Sequence, residues 1–365
     1  MIRYLKYELK KNFWTLVVLT AIAVIVYVVT VSTSKLFYRP IGPLSPDRPT
    51  TVINGLAEPI NQSPQISLIY AILGTFCAVV PVLMYSFKMN KRSVDAFYSL
   101  PIKKEKMYLV KTLMGLLLVL IPYTIAYWMG FLTIALRENY FHLIYYIPGY
   151  FGGLLFGVCL YGLYAFAFTR ANRVVDGVVF MLAYTFIGFL IVAGGGEIYY
   201  SLSGHRSDLA LSHFFSFGGL MAFETNITTL IQEGKIKTNV GDPAASWMPT
   251  SDVIWEPTIF LYPILLAAAS YALMFLLLRR EKAENAEQNS DSWFGYRVMI
   301  PLYIVAFFTC ISYSLDMLPL YICVIAIGAV IMTIVYTRKI LFNWRYWVMI
   351  AASVAVGLVL HITFL

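Results

Sequence analysis

Nine long apolar runs set the terms for this chain, at about residues 13 to 33, 66 to 87, 109 to 136, 143 to 168, 174 to 194, 257 to 278, 298 to 315, 318 to 336 and 346 to 364. A helix crosses a bilayer with roughly 20 apolar residues, and lipid offers no partner to an unpaired backbone group, so runs of this kind fold as helices. The expected fold is therefore an all-α polytopic membrane protein with about nine transmembrane helices. Composition agrees: 60% of the 365 residues are hydrophobic and 13% are charged, against about a quarter charged in soluble domains.

Orientation follows from the basic residues, which concentrate on the cytoplasmic side of membrane proteins. A cytoplasmic amino terminus places 20 of the 27 Lys and Arg in inner segments: the N-tail, residues 88 to 111, Arg170 with Arg173, residues 279 to 297 and residues 338 to 345. The outer segments hold 11 of the 19 acids, so the faces carry about +12 and −4. The net charge of +8 thus flanks spans, where it suits anionic lipid or a protein partner and not nucleic acid. Cys77, Cys159, Cys310 and Cys323 all fall within spans, without zinc spacing or an oxidising loop location, so buried free thiols are expected.

Residues 1 to 12, MIRYLKYELKKN, read as an interfacial amphipathic helix that stays attached. Ile2, Leu5, Leu9 and Phe13 share one helical stripe, and Arg3, Lys6, Lys10 and Lys11 lie beside or opposite it. That pattern suits a helix lying on the bilayer surface with its lysines toward anionic headgroups; the plainer alternative is a set of charges that fixes topology. Residues 13 to 279 then hold six spans, with outer loops at 34 to 65, rich in proline, and at 195 to 256, whose start Gly194, Gly195 and Gly196 mark. Within the second loop, the stretch around residues 209 to 223 is short for a span and reads as a re-entrant or surface helix. Residues 280 to 297 form a cytoplasmic linker before a three-span appendage at 298 to 365.

Between Lys88 and Lys111 the chain reads KMNKRSVDAFYSLPIKKEKMYLVK, a compact basic segment between two spans. Ser93 to Ser99 can make about two helical turns, and Leu100 should leave the helix because it precedes Pro101. Pro101 in turn belongs near the start of the next helix. Val94, Phe97, Tyr98 and Leu100 are apolar groups among Lys91, Arg92, Lys103, Lys104 and Lys106. A short helix with aromatics in a basic collar suits a groove on a protein; the alternative is a loop bound to headgroups.

The pattern D-x-x-x-S-L-P-I, here Asp95, Ser99, Leu100, Pro101 and Ile102, resembles the loop after the second span of ABC-2 type transporter permeases. In that family the loop forms a coupling helix pressed into a groove on the ATP-hydrolysing subunit. The basic start resembles the family's elbow helix, and the long outer segment before span six its extracellular helical hairpin. The resemblance covers about residues 1 to 280, and residues 298 to 365 add three spans that the family core does not require.

What the resemblance implies is a bacterial exporter in the cytoplasmic membrane, built from two permease copies or two related permeases with two copies of an ABC ATPase subunit. ATP and Mg would sit on that partner subunit, with no cofactor and no metal in this chain. The coupling residues would be Val94, Asp95, Phe97, Tyr98, Ser99, Leu100, Pro101, Lys103 and Lys104, with Arg170 and Arg173 in the next inner turn. The sequence carries no G-x-x-x-x-G-K-[ST] motif; the nearest Gly-Lys, Gly234 and Lys235, is followed by Ile236.

Two other classes compete. An ion-coupled secondary transporter would place carboxylates or histidines at mid-membrane depth, yet Lys111 and Asp176 lie at span ends, Asp316 in an outer turn and His361 near an outer end. Lys111 is expected to snorkel toward the inner interface. A membrane-embedded enzyme modifying lipids at the outer face would need placed acids and bases, and His205, Asp208 and His213 are the group to inspect. Absence of charge within the bundle favours a hydrophobic or amphipathic substrate: peptide, lipid or drug. Tyr123 and Tyr127, beside Pro122, are candidates for lining its path, whereas Tyr145, Tyr146, Tyr150, Trp128, Trp344 and Trp347 near span ends suit aromatic belts.

Overall fold

The computed structural model describes residues 2–33, 38–40, 57–59, 68–99, 101–137, 143–203, 258–278, 284, 286–290, 292–310, 318–339 and 343–364. Among these, eleven α-helices follow in order: α1 (Ile2–Lys11), α2 (Phe13–Thr33), α3 (Leu68–Tyr85), α4 (Lys91–Tyr98), α5 (Lys104–Arg137), α6 (Leu143–Thr169), α7 (Val174–Ser203), α8 (Thr258–Leu278), α9 (Tyr296–Cys310), α10 (Leu318–Thr337) and α11 (Trp344–Phe364). Each of the nine apolar runs has its helix.

Among the described residues, six stretches are long and apolar enough to cross a membrane: Phe13–Thr33, Leu68–Met89, Lys104–Leu136, Gly149–Thr169, Pro319–Thr337 and Trp344–Thr363. By length and composition this is a multi-pass membrane protein. The other three apolar helices are shorter among the described residues, at Val174–Gly188, Pro263–Leu278 and Tyr296–Cys310. One boundary differs from expectation. Gly194–Gly196 do not end the fifth run; α7 continues through them to Ser203. A glycine inside a helix costs about 1 kcal/mol relative to alanine, a penalty that the surrounding helical turns here absorb.

The chain divides into two compact units, one of Met1–Cys77, Leu113–Val158 and Leu220–Pro257, the other of Ala78–Thr112, Cys159–Gly219 and Thr258–Leu365. In the first, α1 and α2 are joined at Asn12, whose amide donates to the Glu8 carbonyl at 2.9 Å. Glu8 is buried and accepts from the Tyr4 hydroxyl at 2.7 Å; burial and that carboxylate raise the pKa of Tyr4. Arg3, Lys6, Lys10 and Lys11 are all exposed. Helix α2 buries one stripe only, Leu19, Ala23, Tyr27 and Val31, at the spacing of four that keeps side chains on one helical face.

Small residues let the first unit close. A Cβ at Gly153 would lie 2.0 Å from the Tyr123 hydroxyl, and one at Gly157 3.1 Å from Leu120, which is the close helix approach expected of small residues in membrane helices. Within residues 34–65, the described backbone is a three-residue antiparallel ladder, Tyr38–Pro40 against Ala57–Pro59 with Arg39 opposite Glu58.

In the second unit an aromatic chain links four helices: Phe180 of α7 to Tyr296 of α9 at 4.9 Å, Tyr296 to Tyr336 of α10 at 5.2 Å, and Tyr336 to Tyr346 near the start of α11 at 5.8 Å between ring centroids. The Tyr303 hydroxyl donates to the Ala183 carbonyl at 2.5 Å and the Cys310 thiol to that of Leu190 at 2.9 Å. Helix α9, assigned by sequence to an appendage, thus packs directly on α7 of the six-span set. His361 is buried, with Nδ1 3.2 Å from the Phe308 carbonyl.

Candidate functional site

Helix α4 begins where Asn90 leaves the helical region: its side-chain oxygen accepts from the Arg92 N–H at 3.0 Å and its carbonyl from that of Val94 at 2.9 Å. Asparagine is a favoured N-cap because it satisfies a donor that the first turn leaves open. At the other end Ser99 closes the helix, its N–H on the Asp95 carbonyl at 3.1 Å and its hydroxyl on that of Ala96 at 3.0 Å. Pro101 follows, and α5 starts three residues later at Lys104. The helix is thus one residue shorter at its C-terminal end and two longer at its start than the spacing suggested. Leu100 lies outside the described residues.

One side of α4 is pinned. Val94 is 1% exposed, and Phe97 packs at a tilt, 4.6 Å between ring centroids, on Phe87 from the short 3₁₀ turn Ser86–Met89. Lys111 is held within this contact. It is 3% exposed, with its ammonium 4.5 Å from the Phe87 ring centre and 4.8 Å from that of Phe97. Two ring faces supply the negative charge density that an ammonium seeks when it leaves water. Lys88 is also buried and donates to the Thr169 carbonyl at the end of α6.

The opposite side is open. Asp95, Ser99, Pro101, Lys103 and Lys104 are exposed, with Lys104 lying 4.1 Å over the half-buried Tyr98 ring. This is an acidic group, a hydroxyl and a basic rim on a short helix whose back is fixed.

A second cluster adjoins it. Glu287 sits on the left-handed backbone at φ 65°. It is held there by Arg173, whose Nε donates to its carbonyl at 2.6 Å, and by the Asn172 carbonyl, which accepts its N–H at 3.1 Å. Its carboxylate turns to Lys91 of α4 at 3.9 Å. The Ser290 hydroxyl accepts from the Asn172 N–H at 2.9 Å and donates to Asp176 Oδ2 at 2.6 Å. Asp176, 3% exposed in the first turn of α7, also accepts from the Tyr296 hydroxyl at 3.1 Å and faces the Arg338 guanidinium at 3.9 Å. A carboxylate in a first helical turn further benefits from the helix dipole.

Four of the segments that the charge pattern put on one membrane face therefore meet: residues 88–111, 170–176, 286–290 and 338. Arg173 joins this network through its bond to the Glu287 carbonyl, and Arg170, the other arginine grouped with the coupling residues, is buried to 9% exposure with its guanidinium 5.8 Å from the Phe166 ring centre. Tyr123 and Tyr127 are buried elsewhere, packed on Tyr150 at 6.0 and 5.5 Å, with the Tyr123 hydroxyl on the Tyr150 carbonyl at 3.2 Å. His205, Asp208, His213, Asp316 and residues 209 to 223 lie outside the described residues.

Phe87, Lys88, Lys111, Asp176, Glu287, Ser290 and Arg338 were not singled out by sequence reasoning as site residues. For Lys111 and Asp176 a signal existed, a single charge at the edge of an otherwise apolar run. Comparison with protein-family models, with curated proteins and with solved structures finds no match for this chain.

Proposed function

We propose that this chain is the transmembrane permease subunit of an ATP-driven transporter of the ABC-2 type, which exports a hydrophobic or amphipathic compound across a bacterial cytoplasmic membrane. A separate ATPase subunit grips α4 from the cytoplasm, and two permease copies, identical or related, pair with two ATPase copies. The observation that carries this reading is α4 itself: a capped, two-turn helix between two membrane helices, locked on one side by Val94, Phe97 and Lys111 and offering Asp95, Ser99, Pro101, Lys103 and Lys104 on the other.

A rigid back matters for such a part. Closure of the ATPase pair on binding ATP pushes α4, and the buried anchors pass that displacement to α5 through Lys111 and to the end of α6 through Lys88. The membrane helices then open outward. Coupling requires that the ATPase grip α4 more tightly in one state than in the other, since equal affinity shifts no population. The sharing of one network by Lys91, Arg173, Glu287 and Arg338 supports placing these segments on one side of the membrane, the side that the basic residues mark as cytoplasmic.

The test is co-expression with the ATPase encoded in a neighbouring reading frame. The double variant Asp95→Ala, Pro101→Ala should insert normally and lose co-purification with that ATPase. Undiminished co-purification and transport would refute the assignment.

A further inference from the structure

Helices α7, α9 and α10 enclose a groove of about 810 Å³, within the size range of sites that hold a small ligand. Its walls are apolar. Phe180, Ile304 and Ala329 form a buried floor, while Phe186, Phe307 and Val324 stand exposed at the lip. These helices are apolar outside as well, so a bilayer around them would set the lip against hydrocarbon.

Gly328 lines the groove at an exposed position on α10, with open space beside it. A Cβ added there meets no atom within 4 Å, whereas one at Gly177, Gly295 or Gly357 of the same unit would lie 2.5 to 2.6 Å from an aromatic ring. The other three glycines are required by close packing. Gly328, a poor helix former in the middle of α10, makes room that no protein atom takes up.

The groove also has a polar end. Tyr296 lines it and donates to Asp176, whose Oδ1 is the atom facing Arg338 at 3.9 Å. Asp176 already accepts from Ser290 and Tyr296, and the Arg338 side chain remains 46% exposed just past the end of α10. A guanidinium carries five donors in a planar fork that matches phosphate. Lys339 beside Arg338 and Arg345 in the first turn of α11, both exposed, add basic charge.

We infer that this groove is a binding site for an anionic phospholipid, one acyl chain lying past Gly328 and the phosphate at Arg338. An apolar slot whose Tyr296 end is linked through Asp176 to a half-exposed arginine is complementary to that chemistry. The site is independent of the ATP-driven reading and gives α9 and α10 a role of their own.

The experiment uses the full-length chain with phosphatidylglycerol and phosphatidylcholine that carry a photoreactive group in the acyl chain, followed by mapping of labelled peptides. Helix α2, which lipid surrounds on most sides, reports ordinary contact. Labelling at the groove should exceed that on α2 and favour phosphatidylglycerol by about fivefold, the effect of one basic residue on an anionic lipid. Gly328→Leu should lower groove labelling to the α2 level, and Arg338→Gln should abolish the headgroup preference while phosphatidylcholine still labels. If Gly328→Leu fails to fold, Val324→Trp blocks the exposed lip instead. Groove labelling equal to that on α2 in the unaltered chain, unchanged labelling in the blocked variant, or no headgroup preference would overturn the proposal. So would displacement of the lipid by a second copy of the chain or by a transported compound.

Discussion

Glu287 reaches Lys91 across 196 positions of sequence, its carboxylate 3.9 Å from the ammonium and 3.4 Å from the Lys91 backbone N–H. The same residue is fastened through its backbone to Asn172 and Arg173. One residue therefore ties the segment after α8 both to α4 and to the turn before α7. Any load on α4 is shared with the helices that follow.

The pair is exposed, at 63% and 51% of the two side chains, so its worth is about 0 to 1 kcal/mol and its role is positional. Glu287→Lys should leave the unfolding midpoint nearly unchanged yet speed amide exchange in α4, and adding Lys91→Glu should restore the slow exchange. Identical exchange in all three proteins would show that the contact does not hold α4.

Asp176 is the opposite case, a buried carboxylate with two hydroxyl donors and a guanidinium around it. Asp176→Ala strands these partners and should cost about 3 to 5 kcal/mol. Asp176→Asn keeps an acceptor and loses the charge, so its cost should be about 1 to 3 kcal/mol. Unfolding midpoints in the order wild type, Asn, Ala check this, and an Ala variant as stable as the Asn one would refute the account.

The helices could be read because each apolar run announces itself locally, and α4 because Pro101 and the preceding aromatics confine a helix to a few residues. What could not be read are partnerships over long separations. Glu287 stands among several acids in a polar linker and looks solvated in sequence; only the fold brings Asn172 and Lys91 to it. Lys111 looked like a residue able to snorkel because its stem is long, and the two phenylalanines that hold it come from separate elements. The run of three glycines before Glu197 suggested a break, yet a helix already committed by its apolar length runs through them.

Lys111 gives a sharp test of how α4 is seated. Lys111→Met keeps the stem and removes the charge, forfeiting two ring contacts worth about 0.5 to 2 kcal/mol each while sparing the burial of an ammonium. The fold should survive, and α4 should loosen enough for trypsin to cut faster at Lys91 and Arg92. Val94→Asp, which buries a carboxylate without a partner, should free α4 entirely and bring cleavage to its maximum. Equal cleavage in wild type and in Val94→Asp would show that the buried side of α4 is not what retains it.

Contacts among Lys91, Arg173, Glu287 and Arg338 also constrain topology, because residues in one network lie on one side of a bilayer. An even number of crossings must then separate residues 91, 173, 287 and 338 in turn, as it does if α5 and α6, α7 and α8, and α9 and α10 each cross as a pair. Single cysteines at the exposed positions Arg92, Gln288 and Lys339, in a chain with Cys323 replaced by serine, should resist a membrane-impermeant maleimide in intact cells and react once the cells are opened. A cysteine at Arg39 should react in intact cells. Reaction of Arg92→Cys and Gln288→Cys from opposite sides would break the Lys91 to Glu287 link, and reaction of all three from outside would remove α4 from the reach of any cytoplasmic ATPase.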